Sequence, residues 1–316
     1  MWSRPSKIRI SCRRPAVEAL ETRRLLSASA LRMTMQPDDI FIHPADSTAS
    51  DIQGYVPSQI ASAYGFNGLT FSSGSVAAQG QGQTIAIIDA YGDPNITSDL
   101  GVFDSQFGIA APPSFQVVNQ TGGKSLPAEN AGWDGEISLD VEWAHAVAPQ
   151  ANILLVEASS DSLSDLLDAV NYARNAAGVS VVSMSWGGSE FFSWSNGEFT
   201  GETQYDSDFT TPAGHEGVTF IAAAGDSGSQ AGVQWPAVSP NVLAVGGTSL
   251  TVNSDGSYGG ETSWTGTSGG YSEIEAEPSY QSNVQGSGVR TVPDVSYDAD
   301  PNTGFAIYDS VNDEGY

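Results

Sequence analysis

Two carboxylates four residues apart, Glu136 and Asp140, stand in the stretch Gly132-Trp-Asp-Gly-Glu-Ile-Ser-Leu-Asp-Val-Glu-Trp-Ala-His-Ala-Val-Ala-Pro149. On a helix this spacing puts both on one face, about 6 Å apart along the axis. Ile137, Val141 and Ala144 form a neighbouring stripe that can face a core. Like charges so placed cost an isolated helix about 0.2–0.5 kcal/mol, less if the pair shares a proton or bonds a third group. A solvated acidic helix face is the commoner meaning of the spacing, and general acid and base chemistry the rarer one.

The elements that must position such a pair are legible as short apolar runs. Thr84-Ile-Ala-Ile-Ile-Asp89 reads as a strand buried on both faces, with Asp89 at its carboxyl edge. Ile153–Glu157, Val179–Trp186, Val218–Ala224 and Val242–Val245 repeat the pattern. Leu163, Leu166, Leu167 and Val170 make an amphipathic crossover helix, followed by Gly178. The alternation predicts a mostly parallel sheet flanked by helices, and in such sheets chemistry gathers at the carboxyl ends of the strands. Residues 189–213, rich in Phe, Trp, Ser and Gly, read as a surface excursion.

Composition sets the environment. The 316 residues carry a formal charge of -26, with eight of the 11 Lys and Arg before residue 36. The remaining body is therefore almost purely acidic. It would repel nucleic acid and anionic membranes, and it repels itself least where carboxylates protonate. The single cysteine, Cys12, rules out an intramolecular disulfide and a multi-cysteine metal site. No run reaches the roughly 18 apolar residues of a membrane span, and Glu18, Glu21, Arg23 and Arg24 interrupt any ordinary signal peptide. Residues 1–35 read as a basic leader, 36–54 as a polar linker and 55–316 as one domain.

The stretch Gly-Trp-x-x-Glu-Ile-x-Leu-Asp-Val followed by Ala-Pro resembles the sedolisin family of serine-carboxyl peptidases. Further along, Ser183-Met-Ser-Trp-Gly-Gly188, Ala223-Ala-Gly-Asp-Ser-Gly228 and the segment from Val292 to Tyr308 carry the same resemblance, which covers about residues 55–316. It implies a subtilisin-like α/β fold lacking its C-terminal part, and a secreted or cell-surface endopeptidase acting on protein or peptide substrates in acid, as a monomer. It also implies roles: Glu136 as general base, Asp140 as its orienting partner and Asp226 as hydrogen-bond donor to the oxyanion. Asp89 and Trp186 would extend the network, with plain core as the other reading of Trp186. Gly187, Gly188 and Ala224 would contact substrate.

Acid conditions suit this set. An imidazole of pKa about 6.5 is protonated near pH 4, whereas a glutamate near 4.3 is partly ionised. A protonated aspartic acid can donate to a developing oxyanion, a bond worth about 2.7–4 kcal/mol. His145 reads as structural.

Family members place the serine in Gly-Thr-Ser-x-x-x-Pro. Gly247-Thr-Ser249 and Gly266-Thr-Ser268 lack the proline, and Asp226-Ser227-Gly228 lacks a histidine partner. The expectation is that the chain stops before its nucleophile and before the family's calcium ligands, and is inactive alone. Residues 36–54 leave no room for the family's large propeptide. The run from Val17 to Ala28 resembles the Leu-Glu-Pro-Arg-x-Leu-Leu leader of planctomycete surface proteins, a disordered basic tail being the plainer reading. A non-catalytic surface protein with the same fold, or a glycosidase built on the carboxylate pair, are the rival functions. The glycosidase leaves the Gly-Asp-Ser-Gly strand end unexplained.

Overall fold

A computed structural model describes residues 33–37, 52–71, 74, 76–195 and 198–311; the leader to residue 32 and linker residues 38–51 lie outside them. In chain order come β1 (Gln36–Pro37), α1 (Pro57–Ala63), the hairpin β2 (Thr70–Phe71) and β3 (Val76–Ala77), β4 (Thr84–Ala90), α2 (Ile96–Phe107), β5 (Phe115–Asn119) and α3 (Asp134–Val147). Then follow β6 (Asn152–Ala158), α4 (Leu163–Asn175), β7 (Val179–Met184), β8 (Trp186–Ser189) and the hairpin β9 (Phe192–Ser195) and β10 (Glu198–Gly201). A 3-10 segment, Glu202–Phe209, leads to β11 (Thr219–Ala223), β12 (Gln234–Trp235), β13 (Val242–Val252), β14 (Tyr258–Ser263), β15 (Gly270–Ala276), β16 (Val289–Val292) and β17 (Val295–Asp298).

The central sheet runs β14-β13-β11-β7-β4-β6-β5, and β17 adds to β13. Every pairing from β5 across to β13 is parallel, as is β13 with β17; β14 alone is antiparallel. β-branched residues at consecutive positions fit strands whose two faces are both covered. On one face Ala86, Ile88, Val182, Met184, Phe220 and Ala244 pack with Leu166, Ala169, Val170 and Ala173 of α4. Ser162 caps that helix by accepting from the Asp165 N–H. On the other face Ile87, Ile153 and Leu155 meet Ile96 and Leu100 of α2 and Ile137 and Val141 of α3. Each such side chain contributes about 1.5–3 kcal/mol when fully buried. This second cover thins beyond β4, where Val181, Ser183, Ile221, Ala223, Leu243 and Val245 are only half-buried.

Three local readings change. The run Val179–Trp186 is two strands broken at Ser185, because β8 leaves the central sheet to pair with β1 and β12. The strand expected at Val242–Val245 continues to Val252, since successive parts of β13 pair with β11, β17 and β14. Residues 189–213 are not wholly superficial. Phe209 is buried, with its ring 5.5 Å from that of Trp235 and 5.9 Å from that of Phe220.

A buried cation ties the last strands down. The Arg290 guanidinium donates to both oxygens of Asp294 at 2.6 Å, and to the carbonyls of Thr291, Ala237 and Val242. Asp294 in turn accepts from the Ala244 N–H at 2.9 Å. A planar fork with five donors suits this many acceptors, which is why Arg and not Lys can stand here.

Candidate active site

Helix α3 is oriented by the apolar stripe read from the sequence: Ile137 and Val141 are fully buried against β4 and β6, with Ala144 beside them. That orientation fixes the two carboxylates one turn apart. Glu136, in the first turn, is 1% exposed, and Asp140 is half-buried. The positive end of the helix dipole favours charge in that first turn by about 0.3–1 kcal/mol. Asp140 Oδ1 accepts from the Ser185 hydroxyl at 2.8 Å. Asp140 is therefore itself held, by the residue at which β7 ends and β8 begins.

Strand register brings further groups to this edge. Ile87 is opposite Ser183 and Ser183 opposite Ile221, so Asp89, Ser185 and Ala223, each two residues on, stand at the carboxyl ends of adjacent parallel strands. Asp89 is fully buried and pairs in register with Glu157 on β6. Trp186 is fully buried, and its indole N–H donates to the Ile88 carbonyl at 2.8 Å, tying β8 to the residue before Asp89. It also lies in the aromatic core, 6.3 Å from the ring of Trp235. The core packing read from the sequence is present, and the indole N–H is spent on a backbone carbonyl.

Asp226 is half-buried in the turn after β11. Ala224 donates its N–H to the Val245 carbonyl at 2.8 Å. The turn is clasped by Gly266–Ser268: Ser268 N–H donates to Gly225 O, Gly228 N–H to Gly266 O, both at 2.6 Å, and Ser227 N–H to Ser268 Oγ at 3.2 Å. Gly225 has φ +104°, and a Cβ there would stand 2.4 Å from the Gln234 side chain. Only glycine fits. The two serines of the Gly-Thr-Ser triplets have structural tasks: Ser268 Oγ accepts from this turn, and Ser249 Oγ donates to Asp300 at 2.6 Å. His145 is buried, with Nε2 3.0 Å from the Ala110 carbonyl and 3.2 Å from Asp104, and burial lowers its pKa.

Sequence reasoning missed a set of buried carboxyls behind this edge. Asp93, Asp134 and Glu157 are at most 2% exposed. Asp93 Oδ1 accepts from the N–H groups of Asn95 and Ile96 at the start of α2, and Asp93 donates its own N–H to Glu157 at 3.3 Å. Neither Asp134 oxygen has a hydrogen-bond partner among the described residues. Burial pushes Asp93 up to about 6 and Asp134 and Glu157 to about 7, with repulsion from neighbouring carboxylates adding to it. Burial likewise holds Glu142 well above the usual carboxylate range. The one available signal was an acidic residue inside an apolar run, as in Val156-Glu157-Ala158. Among the described residues no group of three or more His, Cys, Asp or Glu side chains is arranged to hold a metal ion.

The family model described as "Subtilase family" matches residues 128–308. Kumamolisin of Bacillus sp. (strain MN-32) is 37% identical over 288 residues, covering 83% of this chain and 49% of its own length. Sedolisin of Pseudomonas sp. (strain 101) is 33% identical over 265 residues, covering 76% and 44%. The chain thus spans about half the length of the curated relatives it matches. Among solved structures, Pseudomonas sedolisin, a serine-carboxyl proteinase complexed with two molecules of pseudo-iodotyrostatin, superposes with a TM-score of 0.65 at 29% identity, over 82% of this chain and 74% of that one.

Proposed function

This chain belongs to the subtilase family, in its sedolisin branch, and from that membership we propose that it supplies the acid–base half of a serine endopeptidase working on extended peptides in acid. Glu136 is the general base and Asp140 its orienting partner. Asp226, when protonated, donates to the oxyanion, and Asp89 with Trp186 stiffens the edge behind them. The observation that carries this reading is the bond from Ser185 to Asp140, which fixes the second carboxylate of a helical pair at the carboxyl edge of a parallel sheet, at the end of the strand paired with β11.

In this reading neither Gly-Thr-Ser triplet supplies the nucleophilic serine. Both serines are engaged elsewhere: Ser268 Oγ accepts from the Ser227 N–H, and Ser249 Oγ donates to Asp300. The basic leader carries the protein to the cell surface or beyond it.

The proposal is tested with two proteins. The 316-residue chain alone should hydrolyse no peptide at any pH, and a longer product of the same reading frame carrying Gly-Thr-Ser-x-x-x-Pro should hydrolyse casein or a chromogenic peptide in acid. In that longer protein Glu136→Gln and Asp140→Asn should each abolish turnover. Hydrolysis by the 316-residue chain, or full turnover by Glu136→Gln, overturns the assignment.

A further inference from the structure

The excursion after β8 carries a second group of buried carboxyls, which the proposed chemistry does not use. Glu202 and Glu275 are 0% and 3% exposed. Glu190 and Asp206 are half-buried. They come from separate elements: Glu190 follows β8, Glu202 and Asp206 stand on the 3-10 segment, and Glu275 on β15.

Two of the four are built as acceptors. Glu190 accepts from the Ser272 hydroxyl and, at 3.0 Å, from the Glu273 N–H. Asp206 accepts from the buried Ser239 hydroxyl at 2.6 Å. Glu202 takes the Phe191 N–H at 2.9 Å and returns its own N–H to the Phe191 carbonyl at 3.2 Å. Apart from neighbouring carboxyls, Glu202 Oε1 and Glu275 Oε1 meet no hydrogen-bonding group among the described residues. Glu202 bonds Glu190, and Glu275 bonds Asp206. A carboxyl can bond a carboxylate only by carrying the proton itself, which makes Glu202 and Glu275 the donors. Burial, joined by repulsion from the other carboxylates, raises Glu202 to about 9 and Glu275 to about 7.

No cation is at hand to replace those protons. Only three Lys or Arg residues follow residue 36. Arg290 is held by Asp294, Lys124 is exposed in the loop after β5, and Arg174 of α4 donates to the carbonyls of Ser207 and Asp208 and to the Asp208 carboxylate. The other charged groups on the packed elements, Asp208 on the 3-10 segment and Glu273 on β15, are acidic as well.

These carboxyls flank the strand read as substrate backbone. Ser189 ends β8 and Glu190 is the next residue. Gln234 and Trp235 pair with Ser189 and Gly188, and the Trp235 ring lies 5.7 Å from that of Phe191, 6.0 Å from Tyr205 and 6.3 Å from Trp186. We infer that Glu190, Glu202, Asp206 and Glu275 form a clasp held by two shared protons, which closes the flank of β8 in acid and releases it toward neutral pH. An unfolded glutamate titrates near about 4.3. Below that value the closed and open clasp hold the same protons. Above it opening releases protons, so the closed form weakens progressively as pH rises toward about 7 for Glu275 and about 9 for Glu202. The consequence for peptides rests on reading Gly187 and Gly188 as substrate backbone, and the test measures opening, so that loss of the clasp and loss of hydrolysis are told apart.

The experiment is hydrogen–deuterium exchange on the 316-residue chain at pH 5 and pH 7, corrected for the intrinsic pH dependence of amide exchange. The amides of Phe191, Glu202, Glu273 and Glu275 donate within the clasp, and their protection should fall at least about tenfold between the two pH values. Glutamine keeps an N–H donor with no proton to lose, so in Glu202→Gln with Glu275→Gln the fall should shrink to less than about twofold. Each single variant should remove part of the fall, so the result does not depend on the double variant folding. Unchanged protection in the parent, or an equal fall in parent and glutamine variants, overturns the inference. A clasp that opens as described, with no hydrolysis by any longer product, leaves it standing and removes the peptidase assignment instead.

Discussion

Replacing Asp134 by asparagine should reverse sign with pH. Asp134 is fully buried with both oxygens lacking hydrogen-bond partners among the described residues, and burial, joined by repulsion from Asp93 and Asp309, raises it to about 7. An unfolded aspartate titrates near about 3.9. Below that value both states are protonated and the native fold has its full stability. Between that value and about 7 the unfolded chain ionises while the buried group stays protonated, so at about 1.4 kcal/mol per pH unit the loss approaches about 4 kcal/mol by pH 7 and then levels off. Sharing of charge with Asp93 and Glu157 spreads the titration, so about 2–4 kcal/mol is the expected span. Asparagine does not titrate. Its unsatisfied amide costs about 1–3 kcal/mol at every pH. Asp134→Asn should therefore be less stable than the parent at pH 4, and equal to it or more stable at pH 8. Urea unfolding followed by tryptophan fluorescence at the two pH values measures this directly. A parent-minus-variant difference that stays constant within about 0.5 kcal/mol between pH 4 and pH 8 would refute the argument that Asp134 is neutral in the fold.

Three further outcomes follow from geometry. Arg290→Ala strands Asp294 and should cost about 3–5 kcal/mol, read as a lowered melting temperature. Gly225→Ala, which meets Gln234 at 2.4 Å in a left-handed backbone, should cost more than the roughly 1 kcal/mol of an unstrained glycine substitution and lower turnover by the longer protein through displacement of Asp226. Asp226→Asn in that longer protein keeps a donor that needs no proton, so a residual rate should fall less steeply toward neutral pH than the parent's; an unchanged acid profile would mean that Asp226 is not the oxyanion donor.

The strands, the crossover helix and the two carboxylates on α3 were legible because each follows from local periodicity: β-branched runs such as Thr84–Ala90, and an apolar stripe at Ile137 and Val141 that dictates where Glu136 and Asp140 stand. Other features depend on partners distant in sequence. Burial of Asp134 comes from packing, and a lone acidic residue at a helix start looks the same whether covered or wet. Val179–Trp186 reads as one strand because nothing local announces that Ser185 turns its hydroxyl to Asp140 and that β8 changes partners there. β1 is too short, at two residues, to carry a periodic signal, and the boundary drawn between leader and linker on composition falls immediately before it.

The clamp at Arg290 bears on how the domain opens. β17 has four residues and, among the described residues, one pairing partner strand, β13, the kind of edge that ordinarily frays in isolation and exchanges its amide hydrogens quickly. Here the turn that precedes it holds Asp294, whose carboxylate is locked to a guanidinium that also grips the carbonyls of Ala237 and Val242. Peeling β17 away would leave a buried cation without its counter-charge. The strand and the first residues of β13 should therefore exchange as one cooperative unit, with protection close to that of global unfolding rather than of local fraying, and the edge of the sheet becomes part of its slowest-opening core.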